Sequence, residues 1–503
     1  MLFHSPVFLF VFLPITLIGF LALSHLGRRS TAIWWLIAAS VAFYAAWDAA
    51  YLALPLASVV FNQALGRLIA ERAAVGRDRT ADRLVAIGVC ANLALIGVFK
   101  YAAAVLPAAL LNTAGGRQWV DLALPLGISF FTFQQIGYLL DRRRGQADAG
   151  PTRLYWLFVL FFPQMIAGPI LRHRDIVPQF ERVRGWPRIH LDLAVGATLF
   201  AIGLFKKVVF GDGLAALADP FFAEGAAASL GAADAWLGAT IFAFALYFDF
   251  SGYCDMAIGV ARLFGIRLPI NFDSPFKADD ILVFWRRWHI TLGRFINSYV
   301  FQPLAILGAR AASRRRVGRS AGYALSVGGP IFVAFLAVGL WHGAAWKWIA
   351  FGAAHGGAAA VILIMRNRRL KLWPGAPRIC RQAATFTFVV ATLVLFRAED
   401  LAHAGAYFNA MAGANGVLQT PPGDAPIWRW LLAACAAFVV FAAPSTQRIL
   451  KRYRPALGGY ATTGGFDLSW RPSPLWAAFT ALGLLAGLML AQAEPQVFIY
   501  FAF

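Results

Sequence analysis

Apolar segments of about 20 residues recur along this chain, and they restrict its possible folds more than any other feature. A helix needs about 20 mostly apolar residues to cross a bilayer. The segments that qualify, some of them marginally, are 5–25, 32–48, 50–66, 84–106, 121–140, 154–171, 193–211, 232–263, 323–341, 345–365, 382–397, 427–443 and 473–492. Because backbone groups in lipid must bond internally, this series predicts an all-α, polytopic transmembrane helical bundle that forms one domain over residues 1–503.

The composition agrees with a membrane protein. Hydrophobic residues make up 60% of the chain and charged residues 14%, whereas soluble domains carry roughly 25% charged residues. A net charge of +21 would suggest nucleic acid in a soluble protein. Here the basic residues cluster between apolar segments, as the positive-inside rule requires of cytoplasmic loops. We therefore expect a multi-pass membrane protein, surrounded by lipids and without a nucleic-acid partner.

The basic clusters also predict the orientation of the chain. They lie at 28–29, 67–83, 142–144, 310–319, 366–371 and 448–454. The first cluster follows the first apolar segment, which lacks a signal peptide's cleavage site and is predicted to be a retained span. The final span then leaves the cytoplasmic face, so the aromatic tail QVFIYFAF, 496–503, is predicted to lie at the periplasmic face.

Two segments do not fit simple spans. The stretch 161–180 combines three prolines with charged residues, and 268–304 places basic residues among apolar and aromatic ones. Irregular backbone at membrane depth is tolerated only where it is buried in protein or faces water. Both segments are predicted to be re-entrant or interfacial pieces around a central tunnel.

The stretch GLWHGAAWKW, 339–348, contains the first candidate catalytic residue, His342, beside Trp341. Histidine is the side chain best suited to proton transfer near neutral pH. The small residues Gly343, Ala344 and Ala345 would let a substrate approach closely. The alternative is a structural histidine whose hydrogen bonds are satisfied.

The stretch FWRRWHITL, 284–292, contains the second candidate, His289, together with Trp285, Arg286 and Arg287. One interpretation is an interfacial amphipathic helix whose basic residues face lipid phosphates. The other is a cationic site for a phosphate-bearing donor, because guanidinium groups suit phosphate recognition.

The stretch YFDFSGYCDMAIG, 247–259, places Asp249 and Asp255 inside an apolar span. Such carboxylates need a partner or a cavity, and Arg262 is the candidate partner for an ion pair. Asp255 stays open as a functional residue. The other histidines, His355 among them, have no strong case. No spacing indicates a metal site, a phosphate-binding loop or a serine-hydrolase elbow.

These stretches together resemble the membrane-bound O-acyltransferase family, and within it the polysaccharide-acetylating branch that includes the membrane subunit of alginate O-acetylation. The resemblance runs in order through nearly the whole chain. It is carried by SPVFLFVFLP, LPLGISFFTFQQIGYLLD, FFPQMIAGPILRHRDIVPQF, GLFKKVVFGDGLA, LYFDFSGYCDMAIG, FWRRWHITL, GLWHGAAW, LFRAED and FIYFAF. It departs at Cys254, where relatives commonly have Ser, and in the stretch after Leu304.

The resemblance implies a division of roles. His342 would be the principal catalytic residue, and His289 would lie across a tunnel from it. Trp285, Arg286, Arg287, Trp341 and Asp255 are candidates for donor binding or for the tunnel wall. Tyr500 matches a tyrosine proposed in this family as a transient acyl carrier. The alternative for Tyr500 is an interfacial anchor.

The resemblance also implies a reaction. Acetyl groups would pass from cytoplasmic acetyl-CoA, a substrate rather than a bound cofactor, to a periplasmic partner of the serine-hydrolase-like SGNH type. That partner would acetylate an exopolysaccharide, with alginate as the first expectation and cellulose or peptidoglycan next. The alternatives are an acyl carrier protein as donor, or a transporter or channel without chemistry.

Overall fold

The computed structural model describes residues 2–105, 124–148, 150–182, 189–370, 372–419, 426–459 and 468–493. The helices of the first half are Leu13–His25 (α1), Arg29–Ala45 (α2), Ala53–Ala74 (α3), Asp78–Val105 (α4), Ile128–Arg143 (α5), Thr152–Leu160 (α6), Phe162–Met165 (α7), His173–Arg182 (α8), Ile189–Phe205 (α9), Gly213–Ala218 (α10) and Ala232–Leu263 (α11). Those of the second half are Ile281–Trp285 (α12), Ile290–Ile296 (α13), Gln302–Arg314 (α14), Arg319–Tyr323 (α15), Gly329–His342 (α16), Trp346–Asn367 (α17), Arg378–Arg397 (α18), Leu401–Met411 (α19), Ile427–Ala442 (α20), Thr446–Ile449 (α21) and Pro474–Ala493 (α22).

Helical segments dominate this part of the chain, where the only extended pairing is an isolated bridge between Pro269 and Leu457. Eight described segments are long and apolar enough to cross a membrane: Phe8–His25, Ala49–Ala74, Asp78–Tyr101, Ile189–Phe222, Ala232–Leu263, Arg319–His342, Trp346–Asn367 and Arg378–Arg397. This confirms the predicted all-α, polytopic class. The segments predicted at 427–443 and 473–492 also form apolar helices, but shorter ones.

The span predicted at 154–171 is wrong. The structure has α6, a break at Phe161 with ψ near 105°, and then the single turn α7. Pro163 explains the break, because a proline ring clashes with the carbonyl four residues earlier in a continuous helix. Hydropathy alone does not register this steric effect.

The helix α11 lies at the centre of the bundle. Every residue of its most apolar 18-residue window is buried. It packs closely against α9 because glycines face each other across the interface. A Cβ on Gly203 would lie 2.6 Å from Met256 N, and one on Gly259 would lie 2.7 Å from Gly196 O. Small residues at such contacts let the backbones approach, as is usual for membrane helices.

The two irregular segments predicted from the sequence contact each other. The backbone N–H of Ile170 donates to Thr291 Oγ1 (3.0 Å), and Arg172 donates to Arg294 O and to Ser298 Oγ, both at 2.7 Å. The helical course of 281–296 is interrupted between α12 and α13 at residues 286–289. Both segments therefore lie beside the interruption that carries His289.

Candidate active site

His342 is the last residue of α16 and is buried among aromatic rings. Its ring centroid lies 4.6 Å from those of Trp341 and Phe396, and 5.4 Å from that of Trp348, which stacks on it. Gly343 follows in an extended conformation. A Cβ there would lie 2.5 Å from Trp348 Nε1. The glycine therefore makes room for an indole of the same chain, whereas a close approach of substrate was expected.

His289 begins α13 from a left-handed backbone conformation, with φ near 44°. This conformation is uncommon for a residue other than glycine and is found at strained functional positions. The Nδ1 atom of its buried ring lies 3.2 Å from Asn271 Oδ1. The residues before α13 thus turn the imidazole inward, away from the neighbouring Arg286, which is exposed.

The two histidines line the same cavity. Its volume is about 20 Å3, enough for roughly one water molecule. The rest of the lining is mostly apolar and aromatic: Leu246, Phe284, Trp285, Trp288, Leu292, Phe351, His355, Val389, Leu393 and Phe396. Residues from α11, α12, α13, α16, α17 and α18 converge here, so only the tertiary fold brings the two histidine motifs together.

His355 is a third buried histidine on this cavity, and the sequence analysis did not select it. Trp285 Nε1–H donates to its Nδ1 (3.2 Å), and its Nε2 lies 2.9 Å from Thr392 Oγ1. Both ring nitrogens are thus engaged, which is typical of a structural histidine. Its partners Trp285 and Thr392 are 70 and 37 residues away in the chain, so the sequence around His355 does not indicate its place on the cavity.

A larger groove lies next to the histidine cavity. Its volume is about 520 Å3, and Trp285 and Leu292 line both spaces. Arg286 and Arg294 lie on the groove, while Phe335 and Val338 form part of its apolar wall. An apolar groove flanked by guanidinium groups suits a ligand with an apolar part and an anionic part.

The other donor-site candidates lie apart from this groove. Among the lining residues of the groove and of the histidine cavity, neither Arg287 nor Trp341 occurs. The Arg287 carbonyl accepts a hydrogen bond from Asp273 N (3.0 Å). Trp341 is buried beside both histidines, with its ring centroid 6.3 Å from that of His289 and 4.6 Å from that of His342.

Asp255 and Asp249 form ion pairs with lysines, so the expected pairing with Arg262 is wrong. Lys206 Nζ lies 2.9 Å from Asp255 Oδ2, and Lys207 Nζ lies 2.7 Å from Asp249 Oδ1. Arg262 instead pairs with Asp192. The lysines come from a π-helical segment, Lys206–Asp212, that follows α9 and packs on α11. Sequence spacing along one helix favoured Arg262, but close packing of two helices decided the pairing.

Asp255 has further partners away from the histidines. Thr446 Oγ1 donates to it at 2.7 Å, and Gln447 Nε2 donates to its other oxygen. It does not occur among the residues that line the histidine cavity. Tyr500 lies outside the described residues. Within the described ranges, no group of three His, Cys, Asp or Glu side chains could hold a metal ion.

Asn271 is a further residue that the sequence analysis did not select. It is fully buried and contacts His289, Thr291 and Cys254. A single amide in the apolar run LPINF, 268–272, is the signal that could have indicated it, because buried polar side chains normally have hydrogen-bond partners.

Comparison with known proteins gives the site its context. The sequence model of the MBOAT, membrane-bound O-acyltransferase, family matches residues 154–396, which include both histidines. A peptidoglycan O-acetyltransferase of Helicobacter pylori is 38% identical over 444 residues, covering 83% of this chain and 81% of that protein. A probable alginate O-acetylase of Azotobacter vinelandii is 38% identical over 418 residues, covering 82% and 78%. A teichoic acid D-alanyltransferase of Bacillus subtilis is 28% identical over 295 residues, covering 55% and 70%. In this chain both histidine motifs reach one buried cavity. Identity of this extent with the relatives means that the chain belongs to the membrane-bound O-acyltransferase family and is an acyltransferase.

Proposed function

We propose that the chain is a membrane O-acetyltransferase of a bacterial inner membrane, acting in the acetylation of an exopolysaccharide. Alginate is the first candidate, followed by peptidoglycan and cellulose. The names of the relatives from Azotobacter vinelandii and Helicobacter pylori support a polysaccharide acceptor. The observation that carries the proposal is the single buried cavity onto which both His342 and His289 open.

The proposed chemistry is acyl transfer from a thioester to a hydroxyl group. His342, assisted by His289, takes the proton of the acceptor hydroxyl while the hydroxyl oxygen attacks the thioester carbonyl carbon. The new C–O bond forms and the C–S bond breaks. The proton then passes to the departing sulfur, so an ester and a free thiol are the products. The apolar lining keeps bulk water, a competing nucleophile, away from the thioester.

The proposed donor is acetyl-CoA, bound from the cytoplasmic face. The groove beside the cavity supports this, because Arg286 and Arg294 flank an apolar space that Trp285 and Leu292 separate from the histidines. Arg286 and Arg294, which lie on the groove, would attract the anionic phosphates. An acyl carrier protein would offer the same phosphopantetheine thioester, and is the alternative donor.

On the periplasmic side, the acetyl group would move to Tyr500. A phenol has a pKa of about 10 and is a poor nucleophile at neutral pH, so it needs an adjacent base such as His342. A phenyl ester passes its acyl group on readily, because the phenolate is a good leaving group. The proposed recipient is a periplasmic SGNH-type acetyltransferase that modifies the polymer.

The test of the enzymatic role is His342→Ala in purified protein supplied with acetyl-CoA. We expect loss of acyl transfer by about 10²–10⁴-fold, the usual contribution of a positioned acid or base, with donor binding retained. His403→Ala on α19 is the control and should keep full activity, since His403 is half-buried and does not occur among the residues that line the histidine cavity. Retained transfer by His342→Ala would contradict the proposal and favour a transporter.

The test of the carrier role is Tyr500→Phe, which removes one oxygen and keeps the aromatic ring. We expect polymer acetylation in cells to fall to background while the protein remains in the membrane. Unchanged polymer acetylation would limit Tyr500 to an interfacial anchor.

A further inference from the structure

Three hydrogen-bonding groups converge on one oxygen of the buried Asn271 side chain. Thr291 N lies 3.2 Å from Asn271 Oδ1, Thr291 Oγ1 lies 2.9 Å from it, and His289 Nδ1 lies 3.2 Å from it. On the other side of the amide, Asn271 Nδ2 donates to Cys254 Sγ at 3.2 Å. This arrangement determines which atoms carry hydrogen.

The backbone N–H of Thr291 can only donate, so the atom it contacts must be the amide oxygen rather than the amide nitrogen. The Thr291 hydroxyl accepts from Ile170 N (3.0 Å) and is free to donate to the same oxygen. An amide oxygen cannot donate. His289 Nδ1 must therefore carry a hydrogen, and in the neutral ring Nε2 carries the lone pair.

His355, on the same cavity, is held in the opposite tautomer. An indole N–H can only donate, so the bond from Trp285 makes His355 Nδ1 the acceptor. The hydrogen then lies on Nε2, which donates to Thr392 Oγ1, and the Thr392 hydroxyl donates onward to Val389 O (2.9 Å). Of these two rings, only His289 is held in the tautomer whose lone pair is on Nε2.

The loop that carries Asn271 is itself held on both sides. Ile290 N donates to Asn271 O (3.0 Å), and Ile270 N donates to Leu457 O (3.0 Å). Leu457 N in turn donates to Leu268 O (2.8 Å). Asn271 is therefore preorganised before any substrate enters, which is what a group that orients a base requires.

We propose that Asn271 is a positioning residue that fixes His289 in the tautomer able to accept a proton at Nε2. The inference rests on the proposed function only in giving His289 a part in acyl transfer. The tautomer itself is a property of the protein without substrate.

The direct test is nitrogen-15 NMR of histidine-labelled protein in nanodiscs, where protonated and unprotonated ring nitrogens resonate apart. We expect His289, assigned by its disappearance in His289→Gln, to be protonated at Nδ1, and His355 to be protonated at Nε2. In Asn271→Leu, which keeps the size but removes the acceptor, His289 should become a mixture of tautomers while His355 stays unchanged. Asn271→Asp keeps the acceptor oxygen and should keep Nδ1 protonated.

The activity of the same variants separates positioning from folding. We expect kcat of Asn271→Leu to fall at least about 10-fold, which is part of the 10²–10⁴-fold that a positioned base contributes. Asn271→Asp should recover much of this loss. Thr291→Val disturbs the same loop but leaves the bond between His289 and Asn271, so the tautomer of His289 should not change.

Two outcomes would overturn the inference: a wild-type His289 protonated at Nε2, or an Asn271→Leu protein whose His289 remains wholly protonated at Nδ1. If Asn271→Leu fails to fold, the wild-type and Asn271→Asp spectra still decide the question. Full activity of His289→Gln would instead contradict the proposed part of His289 in the reaction and leave the tautomer result standing.

Discussion

At the scale of single residues, the glycine that follows His342 in the Trp-His-Gly motif is required by side-chain packing. Gly343 has φ near 171°, an extended conformation open to any residue. The glycine is therefore needed for lack of space and not for its backbone conformation, because a Cβ on residue 343 would lie 2.5 Å from Trp348 Nε1. The indole it admits stacks on His342 and contacts Phe396, with 4.6 Å between ring centroids. The Trp-His-Gly stretch thus encodes an arrangement of rings around a candidate catalytic residue.

The corresponding prediction concerns Gly343→Ala. The added methyl group should displace the Trp348 indole and with it the ring of His342. A displacement of about 1 Å at a reacting group can lower the rate about 10²-fold, so we expect kcat to fall by roughly that factor while the donor KM changes little.

The matched control is Gly357→Ala on α17, where nothing lies within 4 Å of the added carbon. That change should leave activity intact and stabilise the helix by about 0.5–1 kcal/mol. Equal activity of the two variants would contradict the packing role of Gly343.

At the scale of elements, the junction of α9 with α11 is held by buried charges. The π-helical segment Lys206–Asp212 presents both lysines to α11, and Lys207 also lies 2.5 Å from Asp212. π-helical turns inside longer helices are frequently found at functional sites. Here the extra residue in the turn lets two consecutive lysines each reach an aspartate of the facing helix.

The prediction at this scale is that Lys206→Met destabilises the protein. It would leave Asp255, with 3% of its side chain exposed, as a buried carboxylate without its cation. Breaking a buried pair from one side costs about 3–5 kcal/mol, so a clear loss of thermal stability in detergent should follow.

Two comparisons make this prediction specific. Arg143→Met breaks exposed contacts with Asp78 and Asp82 and should cost about 0–1 kcal/mol. The double variant Lys206→Met with Asp255→Asn should recover part of the loss. A Lys206→Met protein as stable as Arg143→Met would show that the pair contributes little.

At the scale of the whole molecule, two sets of contacts mark opposite ends of the bundle. Arg366 pairs with Asp280 (2.5 Å), and Gln382 donates to Lys277 O (2.7 Å), at the end rich in arginine. At the other end Lys347 donates to Ala398 O (2.6 Å). His342 lies near this second end, at the close of a helical course that starts from the basic cluster around Arg319.

The positive-inside rule predicts that the arginine-rich end faces the cytoplasm. In a background where Cys90, Cys380 and Cys435, the exposed cysteines of the described residues, are replaced by alanine, Glu399→Cys should react with a membrane-impermeant maleimide in intact spheroplasts. Arg368→Cys is exposed at the opposite end and should react only after permeabilisation. The reverse labelling pattern would show that the chain has the opposite orientation in the membrane, and it would contradict the proposed direction of acetyl transfer.

Much of the fold and part of the site could be predicted from the sequence. Hydropathy located most helices, since crossing a bilayer depends on a local window of about 20 residues. It failed at 154–171, where Pro163 interrupts the helix. The His342 and His289 motifs could be identified as candidates because their residue types suit proton transfer. His355 and Asn271 were missed, because their importance depends on neighbours that are distant in the chain.

By itself, the sequence determined that this chain is an all-α membrane protein and an acyltransferase of a known family. Only the tertiary structure decided that two histidine motifs open onto one cavity, that Lys206 rather than Arg262 pairs with Asp255, and that Asn271 contacts His289. The physical reason is the separation along the chain of the residues that decide each property. Burial in lipid is decided by the side chains of one segment, whereas a hydrogen bond or an ion pair is decided by which segments the fold brings within about 3 Å of each other.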